Sequence, residues 1–340
     1  MRKNQGGGKP RPYPTSVYGE PGLVPALIAQ LEAIDMDTQA SSPLNTLDTE
    51  KANPATGEID RMSPLEVVQA INAEDEKVAR AVREVLPQIA RAIEEIAARL
   101  RSGGRLIYAG AGTSGRLGAL DASECPPTFS LAPDVVLACL AGGPTAFGRA
   151  HEDLEDSEEA GRADLEAVGV TDRDVVVGIT ASGRTPYALG ALACAREKGA
   201  LTIGIVCNAH TPLAQEVDIL IAPLVGPEVI AGSTRLKAGT AQKMVLNMLS
   251  TGAMILLGKT FGNLMVDVQA TNYKLRQRAL SIVRQATGLD AQAAENLLVS
   301  AGDDVKTAIL MERAHISLEE TRARLAAHGN VLRAALEAGL

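Results

Sequence analysis

Two segments of the 340-residue chain place Ser-Gly-Arg after an apolar run and before a stretch of helical character. The first is "GAGTSGRLGAL" at 110–120, and the second is "TASGRTPYALGAL" at 180–192. Each turn offers backbone N–H groups, Ser and Thr hydroxyls and the positive end of a helix dipole, which together bind phosphate. One such turn is typical of tight packing alone, but two hydroxyl-bearing turns in equivalent positions favour phosphate binding.

The first segment also fits the G-x-G-x-x-G pattern of dinucleotide-binding folds, through Gly110, Gly112 and Gly115. Those folds place an acidic residue at the end of the second strand, where it binds the ribose. Here the second strand ends in "ACLAGG" (138–143), which has no carboxylate. A P-loop would require Lys and a hydroxyl where this chain has Arg and Leu. The loops therefore indicate a phosphorylated small molecule that is bound, rather than a phosphate that is transferred.

The elements that must position these loops follow from five short apolar runs, each flanked by segments of helical character. The runs lie at 105–109, 134–140, 174–179, 201–206 and 218–224. Strands that alternate with helices and are apolar throughout predict an α/β fold, in which helices sandwich a five-stranded parallel sheet. A capping box at Ser63 and Glu66 begins an N-terminal helical region. Ala-rich segments from residue 286 predict a small all-helical C-terminal subdomain.

Composition excludes several classes of partner. Aromatic residues make up 2% of the chain and the net charge is −8, which argues against base stacking and against a broad contact with a nucleic acid backbone. The longest uncharged apolar stretch, 244–258, is too short and too polar to span a bilayer. We therefore expect no nucleic acid and no membrane partner. No spacing of His, Cys and carboxylates indicates a metal site. The four cysteines, which lack a C-x-x-C pair, are expected to be buried and reduced, as in a cytosolic protein.

Several longer segments carry a specific resemblance to known proteins. These segments are "NPATGEIDRMSP" (53–64), "GAGTSGRLGALDASECPPTF" (110–129), "EDLEDSEEAG" (152–161), "GITASGRTPY" (178–187) and the stretch from "STRLKAGTAQK" to "TNYKL" (233–275). The two loops alone resemble the sugar isomerase (SIS) domain. Together, the segments resemble the N-acetylmuramic acid 6-phosphate etherase family over roughly residues 50–340. The resemblance implies a SIS-type sheet, no cofactor and a phosphorylated amino sugar as substrate.

On this basis we divide the chain into three parts. Residues 1–50 form a flexible N-terminal tail with a short helix at 24–36. Residues 51–285 form the phosphosugar-binding catalytic domain with its N-terminal helices, and residues 286–340 form the helical C-terminal subdomain. The implied reaction removes D-lactate from the sugar by elimination and then adds water. Such an enzyme belongs to cell-wall amino sugar salvage in the cytoplasm.

The resemblance also selects the site residues. It implies Glu124 as the acid that protonates the departing lactate and Glu155 as the base at C2 of the sugar. By its neighbours alone, Glu155 lies in an acidic run that is typical of a solvated helix face. The implied substrate-binding residues are Gly112, Thr113, Ser114, Ser182, Gly183, Thr185, Glu228, Ser233 and Lys237. Arg116 and Arg184 follow the loops and can face either the ligand or solvent.

The position of Glu124 raises a geometric question. The Cys-Pro-Pro that follows it predicts the end of a helix. A helix from Gly115 to Glu124 would place the carboxylate about 14 Å from its own loop, roughly twice the span of a sugar phosphate. Either the helix ends early or bends, or Glu124 serves the site of a neighbouring subunit. We favour a homodimer with sites near the subunit interface.

Two other functions are compatible with a pair of phosphate loops. One is a non-catalytic regulator such as the glucokinase regulatory protein, which binds sugar phosphates without turnover. That regulator has two SIS domains and lacks a glutamate at the position of Glu124. The other is a phosphosugar aldose–ketose isomerase, which would use a base at C2 but no acid at C3 and would release no lactate.

Overall fold

The computed structural model describes residues 47–149, 152–268 and 273–338. The helix expected at 24–36, like nearly all of the predicted tail, lies outside these residues. The strands are β1 Leu106–Gly110, β2 Val136–Leu140, β3 Val175–Ile179, β4 Leu201–Ile205, β5 Ile219–Ile221, β6 Thr260–Phe261 and β7 Leu264–Met265.

Strands β1–β5 form one sheet, which helices cover, and further helices follow this sheet in the chain. The helices are α1 Pro64–Arg83, α2 Leu86–Arg101, α3 Gly112–Phe129, α4 Glu152–Glu155, α5 Glu158–Ala167, α6 Pro186–Glu197, α7 Lys237–Leu256, α8 Tyr273–Thr287, α9 Ala291–Ser300, α10 Val305–Ala314, α11 Leu318–Ala327 and α12 Leu332–Glu337. Among the described helices, none is both long enough and apolar enough to cross a membrane.

The central sheet confirms the predicted α/β architecture. Its five strands are all parallel and lie in the order β2-β1-β3-β4-β5. Alternate residues of a strand point to opposite faces, so Leu106 and Tyr108 pack with helices α2, α3 and α7, whereas Ile107 and Ala109 pack with α5 and α6. Because both faces are covered, the strands consist of apolar residues and glycine, apart from Thr202 in β4, whose hydroxyl donates to Asp218.

Helix α3 is longer than the sequence predicts. It continues through Pro126 and Pro127 to Phe129 and ends at Ser130, whose φ of 51° lies in the left-handed region. The predicted stop after Cys125 is therefore wrong. Cys125 and Phe129 are both buried against the sheet, and this burial outweighs the helical hydrogen bonds that the two prolines cannot donate.

Residues 47–56, which we call the N-terminal strap, pack against the segment that follows β4 and against the loop that leads into α7. Thr49 is fully buried and exchanges hydrogen bonds with Asn208, which follows β4. Asn53 donates to the Pro227 carbonyl and Thr56 to the Val229 carbonyl. The strap therefore fastens the loop that leads into α7.

The C-terminal helices have a hydrophobic core of their own. Ile309 and Leu298 lie at its centre, and it also includes Val266 and Val283. Those two residues precede position 286, so the second core begins upstream of the division made from the sequence. The domain limits themselves stay predictions.

We expect Gly115→Ala to lower the free energy of unfolding by about 1–3 kcal/mol, as overpacking does in a tight interior. A Cβ at this position would lie 2.3 Å from the Gly110 carbonyl oxygen and 2.6 Å from Leu140 Cδ1, so α3 would have to move away from β1. Urea unfolding followed by circular dichroism measures the loss. Gly57→Ala is the matched control, because its nearest neighbour would be 3.9 Å away. Equal stabilities for the two variants would contradict this packing argument.

Candidate functional site

The two Ser-Gly-Arg loops lie side by side at one edge of the sheet. The first follows β1 and the second follows β3, and these strands are neighbours in register, with Gly110 beside Ile179. The helix after β1 covers one face of the sheet and the helix after β3 covers the other. Strand order reverses at this point, and open parallel sheets bind ligands in the crevice that results.

The helices that follow the two loops keep their first N–H groups free of side-chain caps. In the described part of the chain, five other helices begin with a Ser or Asp side chain that accepts a backbone N–H. Helix α3 begins after Ala111 and helix α6 after Thr185, and neither residue caps its helix in this way. The first N–H groups of α3 and α6 therefore have no side-chain cap, and an anion suits such a helix start. Within the second loop, the Gly183 and Arg184 amides donate to Thr180 and Ser182.

Hydroxyl groups cluster in the second loop. Thr180 Oγ1 lies 2.8 Å from Thr185 Oγ1 and 3.3 Å from Ser182 Oγ, and it accepts a hydrogen bond from the Gly183 amide. Gly183 has a φ of 68°, and a Cβ there would collide with Thr211. The loop is thus held in one conformation, with three hydroxyls on a short arc.

The structure brings Glu155 to the first loop. A Cβ at Gly112 would lie 3.5 Å from Glu155 Oε2 and 3.9 Å from Oε1, so the carboxylate stands directly over the start of α3. Its neighbour Leu154 fixes this position by packing against Ala111 and Ala141. The acidic run therefore contributes a partly buried carboxylate to the site, in addition to a solvated face.

Burial raises the pKa of Glu155, and the nearby charges of Asp156 and Glu152 raise it further, whereas Arg116 lowers it. A carboxylate with a raised pKa is a stronger base once it is ionised. This environment suits proton abstraction from carbon.

Glu124 lies far from the first loop of its own chain. It is exposed on the uninterrupted helix α3, twelve residues beyond Gly112, which corresponds to about 18 Å along the helix axis. The alternative in which the helix ends before Glu124 is therefore wrong. Asp121, one turn earlier, anchors this part of α3, because it accepts hydrogen bonds from Tyr108 and Asn247.

Glu228 and Lys237 are engaged by the chain itself. Both oxygens of the buried Glu228 accept N–H groups from the first turn of α7, at Lys237 and Ala238, each at 2.9 Å. Lys237 Nζ donates to the buried Glu74 at 2.6 Å. Burial alone would raise the pKa of Glu74, but hydrogen bonds from Lys237 and Lys77 lower it to about 2.

Ser233 lies in the turn before α7, where its amide donates to the Ile230 carbonyl. The three residues of this segment that the sequence analysis assigns to the substrate thus surround the start of α7. Their contacts within the chain position that helix.

Helix α7 brings one further residue to the first loop, which the sequence analysis does not identify. Gln242 is fully buried, and its Oε1 accepts a hydrogen bond of 3.0 Å from Ser114 Oγ. Its Nε2 has no hydrogen-bond partner among the described residues. Buried polar atoms are rarely left unpaired in proteins, so this amide is a candidate ligand contact. The sequence signal for such a contact is a single Gln on a helix face that otherwise consists of apolar and small residues.

The two loop arginines lie in different surroundings. Arg116 is partly buried, and its Nε donates to the Ala146 carbonyl at 2.7 Å. Arg184 lines a cavity of about 280 Å³ together with Asp48, Asn208 and His210.

The described residues contain no group of three or more His, Cys, Asp or Glu side chains that could hold a metal ion. The chemical resources of the crevice are therefore amide and hydroxyl donors, two arginines and a carboxylate base.

Comparison with known proteins adds the family to this geometry. Residues 88–196 match the glucokinase regulatory protein N-terminal SIS domain, and residues 154–252 match the SIS domain. The chain is 54% identical over 296 residues to an N-acetylmuramic acid 6-phosphate etherase of Pectobacterium atrosepticum, with 87% of this chain and 98% of the relative covered. The chain belongs to the N-acetylmuramic acid 6-phosphate etherase family.

A second member of the etherase family, from Vibrio parahaemolyticus, is 56% identical over 293 residues, covering 86% of this chain and 98% of the relative. Among solved structures, a phosphoheptose isomerase from Francisella tularensis covers 57% of this chain and 100% of its own, with 18% identity and a TM-score of 0.44. The etherase relatives are therefore matched over nearly their whole length.

We expect Glu228→Gln to lower the free energy of unfolding by about 1–3 kcal/mol, because the amide replaces one of two acceptors that the first turn of α7 uses. Thermal and urea unfolding measure this loss. Glu58→Gln, in an exposed ion pair with Arg61, is the control and should leave stability unchanged. If Glu228 instead contacts the sugar, the variant keeps its stability and loses affinity for N-acetylglucosamine 6-phosphate in a calorimetric titration.

Proposed function

We propose that this protein cleaves the D-lactyl ether of N-acetylmuramic acid 6-phosphate and releases N-acetylglucosamine 6-phosphate and D-lactate. One observation carries the proposal. The carboxylate of Glu155 stands over the first phosphate loop, in a chain that is more than half identical to named etherases along nearly their whole length.

The sugar phosphate binds through the two loops. We expect the amide of Gly112 and the hydroxyls of Thr113, Ser114 and Ser182 to surround the phosphate. Gly183 donates its amide to Thr180 and so shapes the second loop, in which Thr185 completes the hydroxyl arc. Support comes from the uncapped starts of α3 and α6, which leave amide donors for an anion. Glu228, Ser233 and Lys237 contribute by holding α7 against the first loop.

The first half of the reaction is an elimination. The sugar ring opens to its aldehyde, which acidifies the proton on C2. Glu155 takes that proton while the C3–O bond breaks, and Glu124 gives a proton to the departing lactyl oxygen. The products of this half are D-lactate and a sugar with a double bond between C2 and C3.

The second half is the addition of water. The hydroxyl group of water bonds to C3 of the unsaturated aldehyde, and C2 regains a proton. The two carboxyl groups exchange their roles, because Glu124 is now ionised and accepts a proton from water, whereas Glu155 returns one to C2. Both groups end in the protonation states in which they began.

The acid and the base come from different subunits of a homodimer. An apolar groove of about 660 Å³ lies between α2 and α7, and Leu86, Ile93, Met248 and Ile255 are among the residues that line it. Asn247 also lines the groove and holds Asp121, one turn from Glu124. A second copy seated on this groove would lie beside Glu124 and could offer its own loops to that carboxylate.

We place the enzyme in the cytoplasm, in the salvage of cell-wall amino sugars. All four cysteines are buried and free, at positions 125, 139, 194 and 207, and burial raises the pKa of Cys207 to about 12. Thiols that stay reduced are typical of that compartment. The relatives with this activity by name are bacterial proteins.

Incubation of the pure protein with N-acetylmuramic acid 6-phosphate in heavy water should release lactate and give a product with deuterium at C2. Glu155→Gln should lower the rate of lactate release by about 10²–10⁴-fold, because an amide cannot take the C2 proton. Enzymatic lactate detection and NMR of the sugar product measure both. Asp153→Asn, at an exposed residue of the same helix, is the control and should keep its activity.

The other outcomes of this experiment separate the alternatives. Binding of the sugar phosphate without lactate would indicate a regulator, and a ketose product without lactate would indicate an isomerase. Lactate from Glu155→Gln at the wild-type rate would show that another group is the base.

Mixing equal amounts of Glu124→Ala and Glu155→Ala subunits tests the shared site. If Glu124 acts across the dimer, half of the dimers are mixed after random exchange and one of the two sites in each is intact, which restores about a quarter of wild-type activity. Each variant alone serves as the inactive control, and sedimentation verifies that dimers are present. Activity that stays at the level of the separate variants, in dimers that do exchange, would contradict a site shared in this way.

A further inference from the structure

Arg116 lies beside the base, one helical turn beyond the first loop. Gly112 and Arg116 are four residues apart on α3 and therefore lie on the same face of that helix. The carboxylate of Glu155 stands over Gly112, so a cation and an anion flank the same end of the crevice. The side chain of Arg116 is partly buried rather than extended into solvent.

One contact fixes the guanidinium and leaves its outer edge available. Nε donates to the carbonyl of Ala146, in the turn that follows β2, at 2.7 Å. Across the residues that the structure describes, neither terminal nitrogen of Arg116 takes part in a hydrogen bond or a salt bridge. The planar pair of terminal nitrogens matches the two oxygens of a carboxylate, and two parallel hydrogen bonds can form.

The substrate of the proposed function carries two anionic groups, and the loops account for one of them. Amide and hydroxyl donors of the two loops suit the 6-phosphate. The second group is the carboxylate of the lactyl ether on C3, next to the carbon whose proton Glu155 removes. A lactyl carboxylate close to the carboxylate of Glu155 would be repelled unless a positive charge lies nearby.

We propose that the terminal nitrogens of Arg116 bind the lactyl carboxylate and thereby select the muramic acid ether over sugar phosphates that lack it. This inference rests on the proposed function. It gives Arg116 two effects, since its charge holds the leaving group in place and also stabilises the ionised form of the neighbouring base.

The other cations near the loops are committed elsewhere. Lys237 forms a buried salt bridge with Glu74. Arg184 lies at the second loop, in the small cavity with Asn208 and His210. Arg116 is thus the cation whose surroundings fit a group on C3.

The test compares two ligands that differ only at C3. N-acetylmuramic acid 6-phosphate has both anionic groups, whereas N-acetylglucosamine 6-phosphate has the phosphate alone. Arg116→Met should raise the KM for the first ligand about 10–100-fold and change the inhibition constant of the second by less than about twofold, since a lost charged hydrogen bond is worth about 1.5–3 kcal/mol. Arg116→Lys should fall between Met and wild type, because a single ammonium cannot form the paired bonds.

Ser114→Ala is the matched comparison on the phosphate side and should weaken both ligands. The pH profile gives a second readout. Because the charge of Arg116 lowers the pKa of Glu155, the acidic limb of kcat/KM should move to higher pH in Arg116→Met. Thermal unfolding of each variant verifies that it is folded.

Two results would overturn the proposal. If Arg116→Met weakens both ligands equally, the arginine binds the phosphate. If it changes neither constant, the side chain does not contact the ligand. Failure of the proposed function is seen separately, as absence of lactate release by the wild-type protein, and calorimetric titration with the two ligands still tests Arg116 in that case.

Discussion

The buried carboxylate of Glu228 holds the first turn of α7, and most of the site depends on where that helix begins. Helix α7 has no N-cap side chain, and the carboxylate of Glu228 accepts its first N–H groups instead. Glu228 is itself fully buried. From this start, α7 packs against α1, α2 and α3 and brings Gln242 to the first loop. The salt bridge between Lys237 and Glu74 adds a second tie to α1. A shift of one turn in α7 would therefore move the loop contact and the apolar groove between α2 and α7 together.

The site that we propose uses local donors for an anion, within a chain of net charge −8. Backbone amides at two helix starts and a short arc of hydroxyls carry no formal charge. The electrostatic potential at this edge of the sheet is therefore set by a few ionised side chains. Those ions are Glu155 and the two loop arginines. In a partly buried crevice, these few charged side chains interact strongly with one another, because solvent screens them less than it does at the surface. The raised pKa of Glu155, which Arg116 lowers in part, is one result.

Much of the sheet could be predicted from the sequence, because strands that are buried on both faces are apolar throughout and need no periodicity to be recognised. The placement of the two Ser-Gly-Arg loops after strands of the sheet was also predictable, since a repeated motif at the same point of two strand–helix units is a local pattern. The end of β5 was placed three residues too late, at 224 instead of Ile221. Patterns that are local in the chain thus predict the sheet and the loops at its edge.

The features that the sequence does not predict depend on contacts between residues that are far apart in the chain. Helix α3 passes through two prolines because Cys125 and Phe129 fit the core, which no property of the dipeptide reveals. Glu155 reaches Gly112 from 43 positions away because Leu154 packs under the loop. The resemblance to a family selected Glu155, whereas its neighbours in sequence alone indicated a solvated face. Gln242 cannot be assigned to the first loop from periodicity, because its place beside Ser114 depends on how α7 packs against α3.

The N-terminal strap sets a limit on how the chain can be shortened or rearranged. Asn53 and Thr56 bind the loop that carries Glu228, and the Thr49 carbonyl accepts the Gly232 amide from the same loop, so residues far from the crevice in sequence help to keep α7 in place. A chain trimmed to begin at the capping box of Ser63 would retain every loop and carboxylate of the site, yet it would lose the ties on which their alignment rests. The shortest chain that keeps the site aligned must therefore include the strap, although the strap contributes no group to the proposed chemistry.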